Sequence, residues 1–414
     1  MNACPRRVAG YAAAIVGLVV LAALTGCARP VEHRPLSPEA HAATELREVF
    51  PHRFWGDEAP DEIERRIRER APALRARFPE AVDARPEEAP FSRLLAISGG
   101  GANGAFGAGL LAGWSESGER VDFGVVTGVS TGAIIAPFAF LGPDYDETLV
   151  DIYAAGARDQ VFEPTPLGGL LFGSAAADTT PLRRQIERHV TPELIEAIAR
   201  EYERERQLFI VTTHFDANRP VVWDIGAIAT ERDDEAVRLI REIIQASAAI
   251  PAFFPPVPIA FEHDGQTFTE LHVDGGLSHN VFAYPAQIPV GRLDEILGLR
   301  FRREIYVIQN SNERLDYSPA PTRLVPIAAR AINTLLQNHL NADLERIYWL
   351  SRRDGLGFGM VAIPESFEAD GSTAFDPVYM RALIEVGREI GRTGTFWRDR
   401  PATIESAGSR AEGE

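Results

Sequence analysis

Phe123-Gly124-Val125-Val126-Thr127-Gly128-Val129-Ser130-Thr131-Gly132-Ala133-Ile134-Ile135-Ala136-Pro137-Phe138-Ala139-Phe140 is the stretch that decides the fold. Its first part, Phe123–Thr127, predicts a buried strand, and Thr131–Phe140 predicts an apolar helix. Between them Gly128-Val129-Ser130-Thr131-Gly132 is a G-x-S-x-G set where a strand hands over to a helix. A serine on so tight a turn takes strained φ/ψ and exposes its hydroxyl, and small flanking residues keep clear of it. A helix that starts at the serine also aims its positive end at an oxyanion forming there. The pentapeptide alone fits an ordinary glycine-rich turn as well. Its setting favours Ser130 as a nucleophile.

Two further turns have comparable chemistry. Ser98-Gly99-Gly100-Gly101-Ala102-Asn103-Gly104 follows a strand at Leu94–Ile97 and opens a small-residue helix over Gly104–Trp114. Backbone N–H groups in such a turn can bind a negative oxygen. Gly99, Gly101 and Gly104 also satisfy G-x-G-x-x-G, which raises a dinucleotide fold as a rival. That fold needs an acid about 20 residues on, at the carboxyl end of the next strand. Here the next strand runs into the serine turn, and Glu119 and Asp122 stand before it. The dinucleotide reading fails on that point. The third turn, Asp274-Gly275-Gly276, follows a strand at Thr267–Val273, and on its own would be a simple turn.

Outside these turns, strands are predicted at Leu208–Thr213, Val221–Trp223 and Ile305–Gln309. Helices are predicted at Asp61–Phe78, Pro181–His189, Pro192–Arg204, Asp234–Gln245, Thr322–Trp349 and Pro377–Arg392. Alternation of this kind predicts an α/β domain with a largely parallel sheet. The apolar, glycine-rich Pro166–Gly173 reads equally as a flap over an acyl channel or as a loop packed on the core.

The first residues carry a different signal. Arg6 and Arg7 precede an uncharged run from Val8 to Leu24, and Leu24-Thr25-Gly26-Cys27 closes it. A cationic start and a small-residue end read as a secretory leader over 1–26, with an uncleaved membrane anchor as the bland alternative. The closing tetrapeptide resembles the lipobox of bacterial lipoprotein precursors, in which the cysteine, here Cys27, receives a diacylglyceryl group. Cys4 and Cys27 are the two cysteines, so a chain cleaved before Cys27 has no internal disulfide and no cysteine metal site. A net charge of −17 with no lysine–arginine block argues against nucleic acid as a partner.

In this order, the three glycine-rich turns resemble the patatin-like phospholipase family, in which a glycine-rich oxyanion loop precedes G-x-S-x-G and then Asp-Gly-Gly or Asp-Gly-Ala. The likeness covers roughly residues 91–312 and extends to Asp178-Thr179-Thr180-Pro181-Leu182 and to Ala246–Val257. It implies a three-layer α/β/α fold with a mostly parallel central sheet and hydrolysis of lipid acyl esters. It further implies Ser130 as nucleophile, Asp274 as its dyad partner, Gly99, Gly100 and Gly101 as the oxyanion loop, and Gly104, Gly128, Gly132, Gly275 and Gly276 as motif glycines. Two positions depart from the pattern: Ser98 stands where the family usually has an acid, and Asn103 where it usually has an arginine.

A dyad dispenses with histidine. Of nine histidines, His279 lies just after Asp274-Gly275-Gly276, where a Ser–Asp–His order would place a triad member. No H-E-x-x-H or similar cluster is present, so the expected chemistry needs no metal or other cofactor. The expected organisation is a signal peptide (1–26), a tether with a helical extension (27–90), the hydrolase domain (91–320) and a C-terminal helical extension (321–414). Expected partners are a lipid or acyl-ester substrate and, through Cys27, a membrane of the cell envelope, the outer one in a Gram-negative host. A non-catalytic lipoprotein using the fold for lipid binding or assembly is the alternative function.

Overall fold

A computed structural model of the chain describes residues 31–44, 46–58, 60–155, 163–164, 177–312, 319–369 and 375–404. The leader, Cys27 and Pro166–Gly173 lie outside the described residues.

The main sheet has the strand order β1-β7-β6-β3-β2-β10-β11. These are Arg53–Trp55 (β1), Phe91–Ile97 (β2), Val125–Val129 (β3), Gln207–His214 (β6), Arg219–Asp224 (β7), Arg302–Asn312 (β10) and Gly357–Ile363 (β11). Five neighbours, β6, β3, β2, β10 and β11, run parallel, and β7 and β1 add an antiparallel edge. A hairpin of β8 (Val257–His263) and β9 (Gln266–Asp274) joins through β9, which pairs antiparallel with β6. A separate two-stranded ribbon is formed by β4 (Glu163–Pro164) and β5 (Ala177–Asp178). Helices flank the mostly parallel sheet, as the α/β/α expectation has it.

The principal helices are α1 (Pro60–Arg77), α2 (Gly104–Ser117), α3 (Thr131–Leu141), α4 (Asp146–Ala154), α5 (Thr180–His189), α6 (Pro192–Tyr202), α7 (Asp234–Ser247), α8 (Val290–Leu297), α9 (Leu324–Asp354) and α10 (Pro377–Arg392). The small-residue composition of α2 has a packing cause. A Cβ added at Gly109 or Gly113 would strike the backbone of Ile384 or Arg388, and one at Gly387 would strike Phe106. The α2 and α10 backbones therefore touch, and only glycine fits at the crossing.

Every predicted strand forms, with ends shifted by at most three residues. The expectation of helices after residue 320 covers α9 and α10 but passes over β11. That strand is short and holds three glycine or alanine residues in seven, a weak strand signal, yet it pairs with β10 along its length. Likewise β1 escapes notice at three residues. No helix among the described residues is long and apolar enough to cross a membrane.

Candidate active site

Register on β6 brings the site together. Val129, the last residue of β3, pairs with Val211, and Asp274, the last residue of β9, pairs with Thr212. Because β7 occupies the other edge of β6, the ends of β3 and β9 meet along a single edge. The next residue after β3 is Ser130. Its Oγ donates to Asp274 Oδ2 at 2.7 Å, and both residues are buried.

Ser130 sits at φ 55°, ψ −122°, ahead of α3. Positive φ costs a side-chain-bearing residue about 1–3 kcal/mol and persists only where the surroundings enforce it. Here the Ser130 N–H donates to Ser247 Oγ at 2.9 Å, and that hydroxyl donates to the Val211 carbonyl at 2.7 Å. Small neighbours are obligatory too. A Cβ at Gly132 would run into the carbonyl of Ile97, one at Gly128 into that of Gly132, and one at Gly275 into that of Val211.

Asp274 is held equally firmly. Its Oδ1 accepts the Gly276 N–H at 2.7 Å, its N–H donates to Ala249 O at 2.9 Å, and its carbonyl accepts from Thr213 Oγ1 at 3.0 Å. Burial pushes its carboxyl up to about 7, against the smaller opposing pulls of the Ser130 hydroxyl and the Gly276 amide. A carboxyl so placed is a far better base at neutral pH than an exposed aspartate.

The Ser98–Gly104 loop lies against the serine turn. A Cβ at Gly99 would meet Asn280 and stand 3.2 Å from Ser130 Cβ, and one at Gly104 would crowd Thr131 and Tyr153. Of the three expected oxyanion donors, Gly99 must be set aside, because its amide is committed to the Asn280 carbonyl at 2.9 Å. Gly100 and Gly101 have no such amide partner among the described residues. Gly101 has φ 58°, and a Cβ there would meet nothing, so backbone conformation rather than space calls for glycine.

Both departures from the family pattern have partners. Ser98 Oγ accepts the Asn310 N–H at 2.9 Å, and Asn310 Nδ2 donates to the Ser98 carbonyl at 3.0 Å, which fastens the loop to β10. Asn103 Oδ1 accepts from Tyr379 Oη at 3.1 Å.

Among the described residues no histidine is hydrogen-bonded to Ser130 or Asp274. His279 packs edge-on against Phe282, and burial pushes it down to about 3. His214 lies beside Glu270.

Ser130, Thr131 and Gly101 open on a cavity of about 120 Å³ with apolar walls that include Ile134, Phe138, Leu182, Ile186, Ile244 and Phe254. Leu182 and Phe254 come from the two outlying stretches that resembled the family. Ser247 belongs to the second, Ala246–Val257, whose family likeness was its only advance signal. Asn280 and Asn310 had none, since an isolated asparagine is indistinguishable from a loop residue until the fold places it.

Residues 95–287 match the family model described as patatin-like phospholipase. This stretch is a patatin-like phospholipase domain. The family is generally one of lipid acyl hydrolases. Among solved structures, the crystal structure of VipD from Legionella pneumophila is similar at 12% identity and a TM-score of 0.31, over 73% of this chain and 66% of that one. The present chain thus spans just under two thirds of VipD. No curated protein matches the chain.

Proposed function

We propose that this protein hydrolyses carboxylic esters of lipids through a Ser130–Asp274 dyad. The observation that supports this most directly is the 2.7 Å hydrogen bond between the two side chains at the mouth of an apolar cavity. Asp274 takes the Oγ proton as Ser130 attacks the ester carbonyl, giving a tetrahedral intermediate. The Gly100 and Gly101 amides and the first turn of α3 face the new oxyanion. Each well-placed donor contributes about 2.7–4 kcal/mol to such a transition state. The proton then passes to the leaving alcohol, and water, activated by the same carboxylate, releases the fatty acid. The acyl chain lies in the cavity walled by Phe138, Ile244 and Phe254. Departure of the family arginine at Asn103 leaves open the polar headgroup, so lipid acyl ester, and not phospholipid alone, is the proposed substrate class.

The Leu24–Cys27 lipobox supports anchoring of the protein in the cell envelope by a lipidated Cys27. Metabolic labelling with a fatty acid, compared between wild type and Cys27→Ser, tests that part. Release of fatty acid from a panel of mono- and diacyl lipids, wild type against Ser130→Ala, tests the hydrolase. Equal release by both proteins would disprove the assignment of Ser130.

A further inference from the structure

The C-terminal half of α9 is buried over the sheet, where Leu340, Leu344 and Ile347 pack with Ile305, Val307 and Met360. The N-terminal half is not. From Pro326 on, its first fully buried residue is Leu340, and Pro326, Ile327, Ala328, Ala331 and Leu335 are all exposed. Ile327 is 47% and Leu335 68% exposed, and Leu335 is the most exposed large hydrophobic residue among those described. Ile327, Ala331 and Leu335 recur every four residues, so they form one outward stripe. From Leu324 to Leu336 the helix extends about 18 Å.

Three contacts tie this overhang to the Ser130 site. Asn280 Nδ2 donates to the Leu336 carbonyl at 2.9 Å, His339 Nδ1 lies 3.2 Å from the Gly276 carbonyl, and Asp343 Oδ2 accepts the Asn280 N–H at 2.6 Å. Asn280 holds Gly99, and Gly276 holds Asp274. The exposed stripe therefore begins beside the dyad.

Charge singles out the same segment. The chain has a net charge of −17, yet from Pro319 to Ala342 the only formal charges are Arg323 and Arg330. At helical spacing both fall beside the Ile327–Leu335 stripe, and no acid interrupts it. An apolar stripe flanked by arginines, on a protein otherwise acidic, complements an anionic lipid surface.

We propose that the N-terminal half of α9 docks the domain on an anionic lipid bilayer, with Ile327 and Leu335 entering the interface and Arg323 and Arg330 facing its headgroups. The proposal rests on the reading of the Ser130 site as a lipid acyl hydrolase, whose substrate sits in such a surface. Docking there brings the dyad to the interface, so an acyl chain can pass into the cavity without crossing open water.

The test compares two substrates for the full chain: phosphatidylglycerol–phosphatidylethanolamine vesicles, and p-nitrophenyl butyrate as a monomeric, water-soluble ester. Ile327→Glu/Leu335→Glu is expected to lower vesicle hydrolysis roughly tenfold or more, with hydrolysis of the soluble ester unchanged. Trp349→Glu, an equally exposed hydrophobic position some 21 Å along the same helix, is expected to keep both. Leu335→Trp gives an independent signal: its emission is expected to shift to the blue with these vesicles, and less with phosphatidylcholine alone. That signal also serves should the double-glutamate variant fail to fold. Undiminished vesicle hydrolysis by a folded double variant overturns the proposal, as does a Leu335→Trp emission that vesicles leave unmoved. So does a wild-type dimer that the double variant dissolves, which would assign the stripe to a second copy of the chain. A wild type inactive on both substrates would instead sink the hydrolase reading, and the Leu335→Trp shift would still report docking.

Discussion

Ser130 and Asp274, 144 residues apart in the chain, are joined because consecutive residues of β6, Val211 and Thr212, each pair with one of the strands that deliver them. The base thus comes from a strand end, where the Gly276 amide, the Ala249 carbonyl and the Thr213 hydroxyl fix its position on three sides. No second side chain is needed to orient it, which is the task a carboxylate performs for histidine in a triad.

The pH dependence follows from Asp274. Its proton-accepting form is the ionised one, and burial places its pKa at about 7. Ester hydrolysis is expected to climb as pH passes through about 7 and to level off above it. Asp274→Asn is expected to lower kcat by about 10²–10⁴-fold. Stability should move the other way. The folded carboxyl lies above the unfolded value of 3.8, so its contribution to stability is complete below about 4 and lost as pH rises through about 7. Asparagine carries no such loss. The variant should therefore match or exceed the wild type in unfolding free energy at pH 8, by at most about 4 kcal/mol, and the advantage should shrink toward pH 4. An advantage that grows on acidification would contradict the burial argument.

Strain at Ser130 can be measured separately from chemistry. Alanine keeps a Cβ at φ 55°, whereas glycine takes that conformation freely. Ser130→Gly and Ser130→Ala should both be inactive and unlabelled by a fluorophosphonate probe, with the glycine variant about 1 kcal/mol the more stable. Equal denaturation midpoints would mean that the turn stores no strain.

Ser247 is expected to matter although it touches no substrate. Ser247→Ala leaves the Ser130 N–H and the Val211 carbonyl without their shared partner. Each buried orphan costs about 1–3 kcal/mol, so urea denaturation should show a loss in that range. The loosened turn should lower kcat and leave KM nearly unchanged, and Ser247→Thr should restore part of the loss. Wild-type stability in Ser247→Ala would remove its role as anchor.

The Ser130 turn was legible in the sequence because a strained turn admits few residue types, whereas Asp274-Gly275-Gly276 on its own read as a simple turn and stood out only through the resemblance of the three turns, in order, to the family. The parallel half of the sheet was legible for a related reason: strands buried on both faces read as apolar runs. What the sequence hid depends on register. Nothing local tells that Asp274 pairs with Thr212, that Asn280 consumes the Gly99 amide, or that Asn310 fastens Ser98. Similarly β11 is decided by the edge that β10 offers, not by its own propensity. Tertiary pairing chose these, so composition and spacing could not.

The last prediction concerns a buried ion pair four residues before Asp274. Arg53, from β1, reaches Glu270 of β9 through two hydrogen bonds, one of them Nη2 to Oε1 at 2.9 Å, and Arg53 is fully buried. Its guanidinium also stands 4.6 Å from the Phe50 ring and 5.1 Å from that of Trp223. His272 Nε2 lies 3.2 Å from Glu270 Oε2, and His214 Nε2 3.5 Å from Oε1. Burial by itself would raise the Glu270 carboxyl, but the charge and hydrogen bonds of Arg53, with His214 and His272, hold it well below the ordinary value. Burial pushes His272 down to about 4, against the pull of Glu270. Both shifts act in the same direction. The stability from Glu270 is present above its ordinary value of 4.5 and is lost as pH falls below it. His272 stays neutral when folded but takes up a proton when unfolded below its ordinary 6.5, so stability drains between about 6.5 and 4. On acidification from about 6.5 to 4, His272→Gln is therefore expected to gain in melting temperature relative to the wild type. At pH 7.5, Arg53→Met strands a buried carboxylate and should cost about 3–5 kcal/mol, whereas Arg53→Met/Glu270→Leu should regain most of it. Because the Asp274 backbone is held by β6 and Ala249 rather than by β1, the double variant should keep its hydrolytic activity. A double variant as unstable as the single would show that Arg53 acts through its packing on Phe50 and Trp223 rather than through its charge.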